Sequence, residues 1–107
     1  MLPKKKRVTK EVFSSIMKDG KTTYSPLFSL RFLINKDSGF ACVVPKAVFK
    51  KAHDRNSLRR KGYNALREIS LPPILGIFFF KKEAKDATVS QIRQQIEFVF
   101  QKIKQIK

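Results

Sequence analysis

Apolar positions recur along this chain with two periods. Over residues 9–18, Val12, Phe13, Ile16 and Met17 keep the three- and four-residue spacing of one helical face. Thr9 has the side chain of an N-cap, Val8 and Phe13 have the spacing of a hydrophobic staple, and Gly20 marks the stop. Over residues 25–34 the period falls to two. Phe28, Leu30, Phe32 and Ile34 alternate with Leu27, Ser29, Arg31 and Leu33, and the first set is the better buried face of a strand. Asn35-Lys36-Asp37-Ser38-Gly39 is turn chemistry. It predicts that residues 40–44 return as an antiparallel partner, ended by Pro45.

Helical spacing resumes over residues 54–69 and is closed off by Pro72-Pro73. Residues 74–80 are apolar in both strand registers, which predicts a central strand covered on both faces. Residues 88–106 carry a stripe of Val89, Ile92, Ile96, Val99, Ile103 and Ile106, with Phe100 beside it. Thr88 and Gln91 have capping-box spacing. The predicted order is αββαβα, an α+β fold in which helices pack on a small sheet. Without an internal repeat or a low-complexity linker, residues 1–107 read as a single domain.

Charge changes the picture from fold to function. The 24 Lys and Arg against 8 Asp and Glu leave a net +16 on 107 residues. The positives sit in three segments, residues 1–21, 46–68 and 81–107, around charge-poor strand regions. Ten Phe and 42% hydrophobic residues exclude a disordered basic tail. A charge of this size on a small core implies a polyanionic partner. The seven-residue run Ile74–Phe80 is too short for a bilayer, which needs about 20 residues. The last helix is amphipathic, but Gln91, Gln94, Gln95, Gln101 and Gln105 on its polar side favour core packing over a membrane surface. No apolar segment follows the N-terminal basic run, and the single Cys excludes an internal disulfide, so a reducing, cytoplasmic setting is expected. Pro3-Lys4-Lys5-Lys6-Arg7-Val8 has the composition of a nuclear localisation signal. A short basic run also starts many RNA-binding proteins, and its place as a lead-in to the first helix favours that reading over targeting.

The 54–69 helix carries the most specific chemistry. Leu58, Gly62, Ala65, Leu66 and Ile69 fall in an arc of roughly 100° on its wheel. Asn56, Arg59, Arg60, Tyr63 and Arg67 fill a second arc beside it, with Arg55 at the border. That second face has no carboxylate, whereas a merely solvated helix face mixes signs to gain i,i+4 pairs. Guanidinium groups present planar donors suited to phosphate oxygens. Asn and Tyr add hydrogen bonding or stacking on a base. Lys46, Lys50, Lys51 and Lys61 extend the basic surface.

Arg55-Asn56-Ser57-Leu58-Arg59-Arg60 resembles the Arg-Asn-Arg motif of the bacterial ribonuclease P protein component. Leu2 with its basic run, Phe13, Gly20-Lys21, Ser25-Pro26-Leu27-Phe28 and Val43-Val44-Pro45-Lys46-Ala47-Val48 resemble further features of that family in order. Ser57 stands where the motif's second Arg is usual. Pro45 and Ala47 replace Ser and Lys, and Met17 and Arg31 occupy places that are often aromatic. The resemblance implies a two-layer α/β sandwich with a left-handed βαβ crossover, like the second domain of ribosomal protein S5. It also implies that Lys46, Lys50, Lys51, Arg55, Asn56, Arg59, Arg60, Lys61, Tyr63 and Arg67 bind a catalytic RNA subunit. The single-stranded 5′ leader of precursor tRNA would lie between the sheet and the first helix. Exposed aromatics there stack bases while cations track the backbone. Phe13, Phe28 and Phe32 are the candidate stackers, with Arg31 and Lys46 as cations.

The residue inventory offers no protein catalyst. His53 is the only His and Cys42 the only Cys, the latter in an apolar strand as a buried thiol would be. No cluster has zinc-ligand spacing, and Asp37, Asp54, Glu68, Glu83 and Asp86 are scattered. The resemblance accordingly implies cleavage on the RNA subunit, with Mg²⁺ held mainly by that RNA and the substrate, and with no protein partner required. A ribosomal or other structural RNA-binding protein without a role in cleavage is the competing class.

Overall fold

The computed structural model describes residues 8–106, so Leu2 and the basic run 3–7 lie outside the described residues. Three helices and four strands follow in the order α1 (Lys10–Asp19), β1 (Lys21–Tyr24), β2 (Phe28–Ile34), β3 (Gly39–Val43), α2 (Ala52–Arg67), β4 (Ile74–Phe80) and α3 (Val89–Ile106), with a 3₁₀ turn at Lys82–Ala84. The fold is α+β, with a mixed four-stranded sheet ordered β1-β2-β4-β3.

Local chemistry explains the helix ends. Thr9 Oγ1 accepts the Val12 amide at 3.3 Å, as an N-cap should. Thr88 and Gln91 exchange hydrogen bonds of 3.1 and 2.9 Å, a closed capping box. Gly20 does stop α1, but with an extended backbone (φ −72°). Its requirement is space, since a Cβ there would sit 2.4 Å from the Ile16 carbonyl oxygen. Helix α2 starts two residues before the predicted Asp54, which lies in its first turn where a carboxylate suits the helix dipole.

Two features depart from the expected αββαβα order. Strand β1 was not predicted, because Lys-Thr-Thr-Tyr has no apolar alternation. It forms because the β2 edge is available, through a hairpin in which Ser25 Oγ accepts the Leu27 and Phe28 amides. Residues 39–43 do not return antiparallel to β2. Strand β4 inserts between them, antiparallel to β2 and parallel to β3. The turn at residues 35–38 therefore crosses the start of β4 instead of closing a hairpin. It is held there by Asn35 N–H to the Pro73 carbonyl (2.9 Å) and Ser38 Oγ–H to the Pro72 carbonyl (2.6 Å). The both-register apolar character of β4 suits this central position.

One sheet face carries the main core. Phe28, Leu30, Phe32, Phe40, Cys42, Ile74, Phe78 and Phe80 meet Leu58, Ala65 and Leu66 of α2 and Ile92, Ile96, Val99, Phe100 and Ile103 of α3. The Phe28 and Phe78 rings meet edge to face at 5.0 Å, and Phe40 lies 5.6 Å from Phe100 across the helix–sheet boundary. Helix α1 covers part of the opposite face, contacting β2 and β4 and fully burying Ile16; Ile77 of β4 is also fully buried on that side. Among the described residues, no helix is long and apolar enough to cross a membrane.

Candidate nucleic-acid interface

Burial of Leu58, Gly62, Ala65 and Leu66 fixes the rotation of α2 and turns the adjacent arc outward. A Cβ at Gly62 would lie 2.9 Å from Cys42 Sγ and from Phe80 Cζ, so the missing side chain lets α2 approach β3 and β4 closely. The outward arc forms a hollow of about 270 Å³ lined by Asn56, Arg59, Arg60, Tyr63, Asn64 and Arg67. Asn56 Oδ1 accepts from Arg59 Nη1 at 3.1 Å, which orients that guanidinium across the face. Arg60 and Arg67 are exposed and make no hydrogen bond or ion pair among the described residues. This part of the predicted site is assembled.

Three other members have structural duties. Arg55 lies at the core-side edge of α2 and folds back, donating from Nη1 to the Phe49 and Lys50 carbonyls at 2.8 and 2.9 Å. It thereby shapes the loop that displays Lys46, Lys50 and Lys51, all exposed. Lys61 leaves the arginine face for the opposite flank, where Nζ donates to the Ala87 carbonyl before α3 at 3.0 Å. The Tyr63 hydroxyl accepts the Cys42 amide at 3.2 Å, so this ring braces edge strand β3 while lining the hollow.

The second predicted surface needs a correction. Phe28 is fully buried and Phe32 is 4% exposed, both in the core beneath α2 and α3. Strand alternation turns them away from α1, so neither presents a ring to a base. The same alternation puts Ser29, Arg31 and Leu33 on the α1 side. Phe13, half-buried on α1, stays available to that side. Arg31 also faces it, but its guanidinium is engaged with α1 and β1.

Register adds two aromatics that the sequence reading missed. Tyr24 is opposite Ser29, Ser29 is opposite Phe79, and Phe79 is level with Val43, so these four form one row across the α1 side of the sheet. Tyr24 is 64% exposed, and Lys81 Nζ lies 5.6 Å from its ring centroid, a cation–π distance. Lys81 Nζ also donates to the Ser25 carbonyl at 2.9 Å, which fixes it at the end of the row. The signal was the alternation within the Phe78–Phe80 triplet. Only Phe79 of the three can point to the α1 side.

The titratable and polar groups around this surface are few in kind. Burial pushes the Cys42 thiol far above its ordinary range, and the nearby Arg59 charge offsets this only in part. Such a thiol is protonated and no nucleophile. Among the described residues, no group of three or more His, Cys, Asp or Glu could hold a metal ion. His53 is exposed at the start of α2. What the two surfaces supply is guanidinium and ammonium charge, amides and aromatic rings. Phosphates and unpaired bases are the matching groups.

Comparison with known proteins agrees with this inventory. The ribonuclease P family model matches residues 2–104. No curated protein sequence matches the chain. Among solved structures, a Staphylococcus aureus RNase P protein superposes with a TM-score of 0.76 at 22% identity, covering 92% of this chain and 95% of its own. A second structure of the S. aureus protein is 26% identical, with a TM-score of 0.69 and coverage of 94% and 91%. The Thermotoga maritima RNase P protein gives a TM-score of 0.74 at 21% identity, covering 87% of this chain and 93% of its own.

Proposed function

The chain belongs to the ribonuclease P protein family, and on that footing we propose that it grips the enzyme's RNA subunit through α2 and the 5′ leader of precursor tRNA through the row beside α1. The observation that carries this reading is the carboxylate-free face of Asn56, Arg59, Arg60 and Arg67, set beside exposed Lys46, Lys50 and Lys51. Guanidinium forks there fit phosphate oxygens of a structured RNA. The α1 side of the sheet offers Phe13, Tyr24 and Phe79 as platforms for unpaired bases, with Lys81 for the backbone.

In this reading the protein holds and neutralises while the RNA subunit cleaves. Mg²⁺, held mainly by that RNA and the substrate, would supply charge stabilisation for the phosphodiester cleavage. The protein's +16 lowers the repulsion between two RNAs brought together, an effect that substitutes in part for dissolved cations. The buried free Cys42 suits a reducing compartment such as the cytoplasm.

Reconstitution tests the proposal. The full chain is mixed with a bacterial ribonuclease P RNA and precursor tRNA at low Mg²⁺, and release of the 5′ leader is followed. The expected result is faster cleavage than with the RNA alone. No gain in cleavage, with RNA binding retained, would leave a structural RNA-binding protein instead.

A further inference from the structure

Arg31 sits at the centre of the α1 side of the sheet, where a cation could meet RNA directly. Its hydrogen bonds assign it elsewhere. Nε donates to the Ile16 and Met17 carbonyls, each at 3.1 Å, and Nη2 donates to the Met17 carbonyl at 2.8 Å. Nη1 donates to Thr22 Oγ1 at 2.9 Å. One side chain of β2 thus ties the last turn of α1 to β1, its own neighbour in the sheet.

The physical fit is close. The last carbonyls of a helix carry the negative end of its dipole and are short of intrahelical partners; the Ile16 carbonyl accepts the Gly20 amide at 2.8 Å and shares its oxygen with Arg31. A guanidinium meets both needs, and its planar fork reaches two carbonyls and a hydroxyl at once, which a Lys ammonium cannot. Gly20 makes the approach possible, because a Cβ there would lie 3.2 Å from Arg31 Cγ and 2.4 Å from the Ile16 oxygen. The anchor matters because α1 is a ten-residue helix with a single fully buried side chain, Ile16. Apolar packing alone gives such a helix little hold on the sheet.

We propose that Arg31 is a positioning residue: it clamps α1 to the sheet and so sets where the helix stands beside the row of Tyr24, Ser29, Phe79 and Val43. This rests on the reading of that row as the leader site. The leader then meets Tyr24, Phe79, Phe13 and Lys81 against a wall whose place Arg31 fixes, without being gripped by Arg31 itself.

The test uses holoenzyme assembled from the full chain, a bacterial ribonuclease P RNA, and precursor tRNA with a long or a truncated leader. Arg31→Met is expected to raise KM for the long-leader substrate roughly tenfold, a loss on the scale of one or two hydrogen bonds' worth of positioning. It should leave kcat, KM for the truncated substrate and affinity for the RNA subunit unchanged. Arg31→Lys should behave like Arg31→Met, and Thr22→Val should lie between them and the native protein. The salt dependence of substrate binding should match the native slope in all three. Hydrogen exchange in α1 should quicken in each. Should Arg31→Met fail to fold, Thr22→Val on the exposed β1 carries the test. Recovery of native KM by Arg31→Lys, with a salt slope lowered by about one unit in Arg31→Met, would show a direct phosphate contact and overturn the clamp. Native KM in all three variants would overturn it as well. A Tyr24→Ala/Phe79→Ala control separates the two layers of the argument. If it loses long-leader affinity while the Arg31 variants do not, only the clamp fails. If it too binds both substrates normally, the leader reading itself fails.

Discussion

Replacing Arg60 and Arg67 together by alanine should remove about two phosphate contacts and leave the fold intact. Both side chains are exposed on the α2 face and neither holds any part of the protein together. Each phosphate neutralised by a protein cation contributes about 0.7 to 0.9 to the slope of log affinity against log salt. Over a rise from about 50 to 200 mM monovalent salt, one contact then accounts for roughly a threefold loss of affinity, and two for roughly tenfold. The native complex with a ribonuclease P RNA should therefore weaken about ten times more over that range than the double variant's complex. Fluorescence anisotropy with labelled RNA at a series of KCl concentrations reads this directly. Arg55→Ala is the contrasting control. Its bonds to the Phe49 and Lys50 carbonyls make its loss a stability effect of about 1 to 3 kcal/mol, read in a denaturant melt. Parallel salt slopes for the native and double-variant proteins would refute the assignment of this face to phosphate.

Other expected outcomes follow from the core and its edges. Phe28→Ala should cost about 3 to 5 kcal/mol in a urea melt, because a fully buried ring that meets Phe78 at 5.0 Å is lost. A change confined to RNA affinity, with native stability, would contradict its core placement. Thr88→Ala opens the capping box and should lower stability by about 1 kcal/mol, measured the same way. Cys42 should resist iodoacetamide at pH 8 in the native protein and react once urea unfolds it, as mass spectrometry would show. Its raised pKa also has a sign in stability. Both states hold the proton below the ordinary value of 9.0, and only the unfolded chain releases it above, so stability falls as pH rises past about 9. Cys42→Ala should flatten that part of the pH profile.

Much of this architecture is written in short-range pattern. The α2 stripe through Leu66, the α3 stripe through Ile103, the Thr9 cap and the Thr88–Gln91 box need only neighbours a few residues away, and these are found; α2 ends at Arg67, short of the predicted Ile69, and the Ile106 side chain lies outside the described residues. The arginine face follows from the same arithmetic, since burying Leu58 and Leu66 leaves Arg59, Arg60 and Arg67 one way to point. What escaped was set by long-range pairing. Nothing in residues 35–39 distinguishes a hairpin turn from a loop that crosses over a strand arriving some 35 residues later; the choice is made by Pro72 and Pro73 carbonyls. Lys21–Tyr24 is a strand only through its neighbour. The aromatic row went astray for a different reason. Residue type suggested Phe28 and Phe32 as stackers, whereas side-chain direction buries them and turns Tyr24 and Phe79 to the α1 side. Arg55 and Lys61 show the matching limit for charge: a cation on a basic helix can serve the protein's own carbonyls.

The sheet order β1-β2-β4-β3 has a consequence for how the chain comes to be folded. Strand β3 is not hydrogen-bonded to β2 and pairs only with β4. A growing chain that has delivered β1, β2, β3 and even α2 still has no strand to join its halves. Phe28, Leu30, Phe32 and Phe40 therefore remain without their partners until residues 74–80 leave the ribosome. Such delayed, non-local closure slows folding and exposes apolar segments meanwhile. It also couples assembly to completion. A helix placed by Gly62 against Cys42 and Phe80 takes its final position, arginine face included, only after Phe80 has been made.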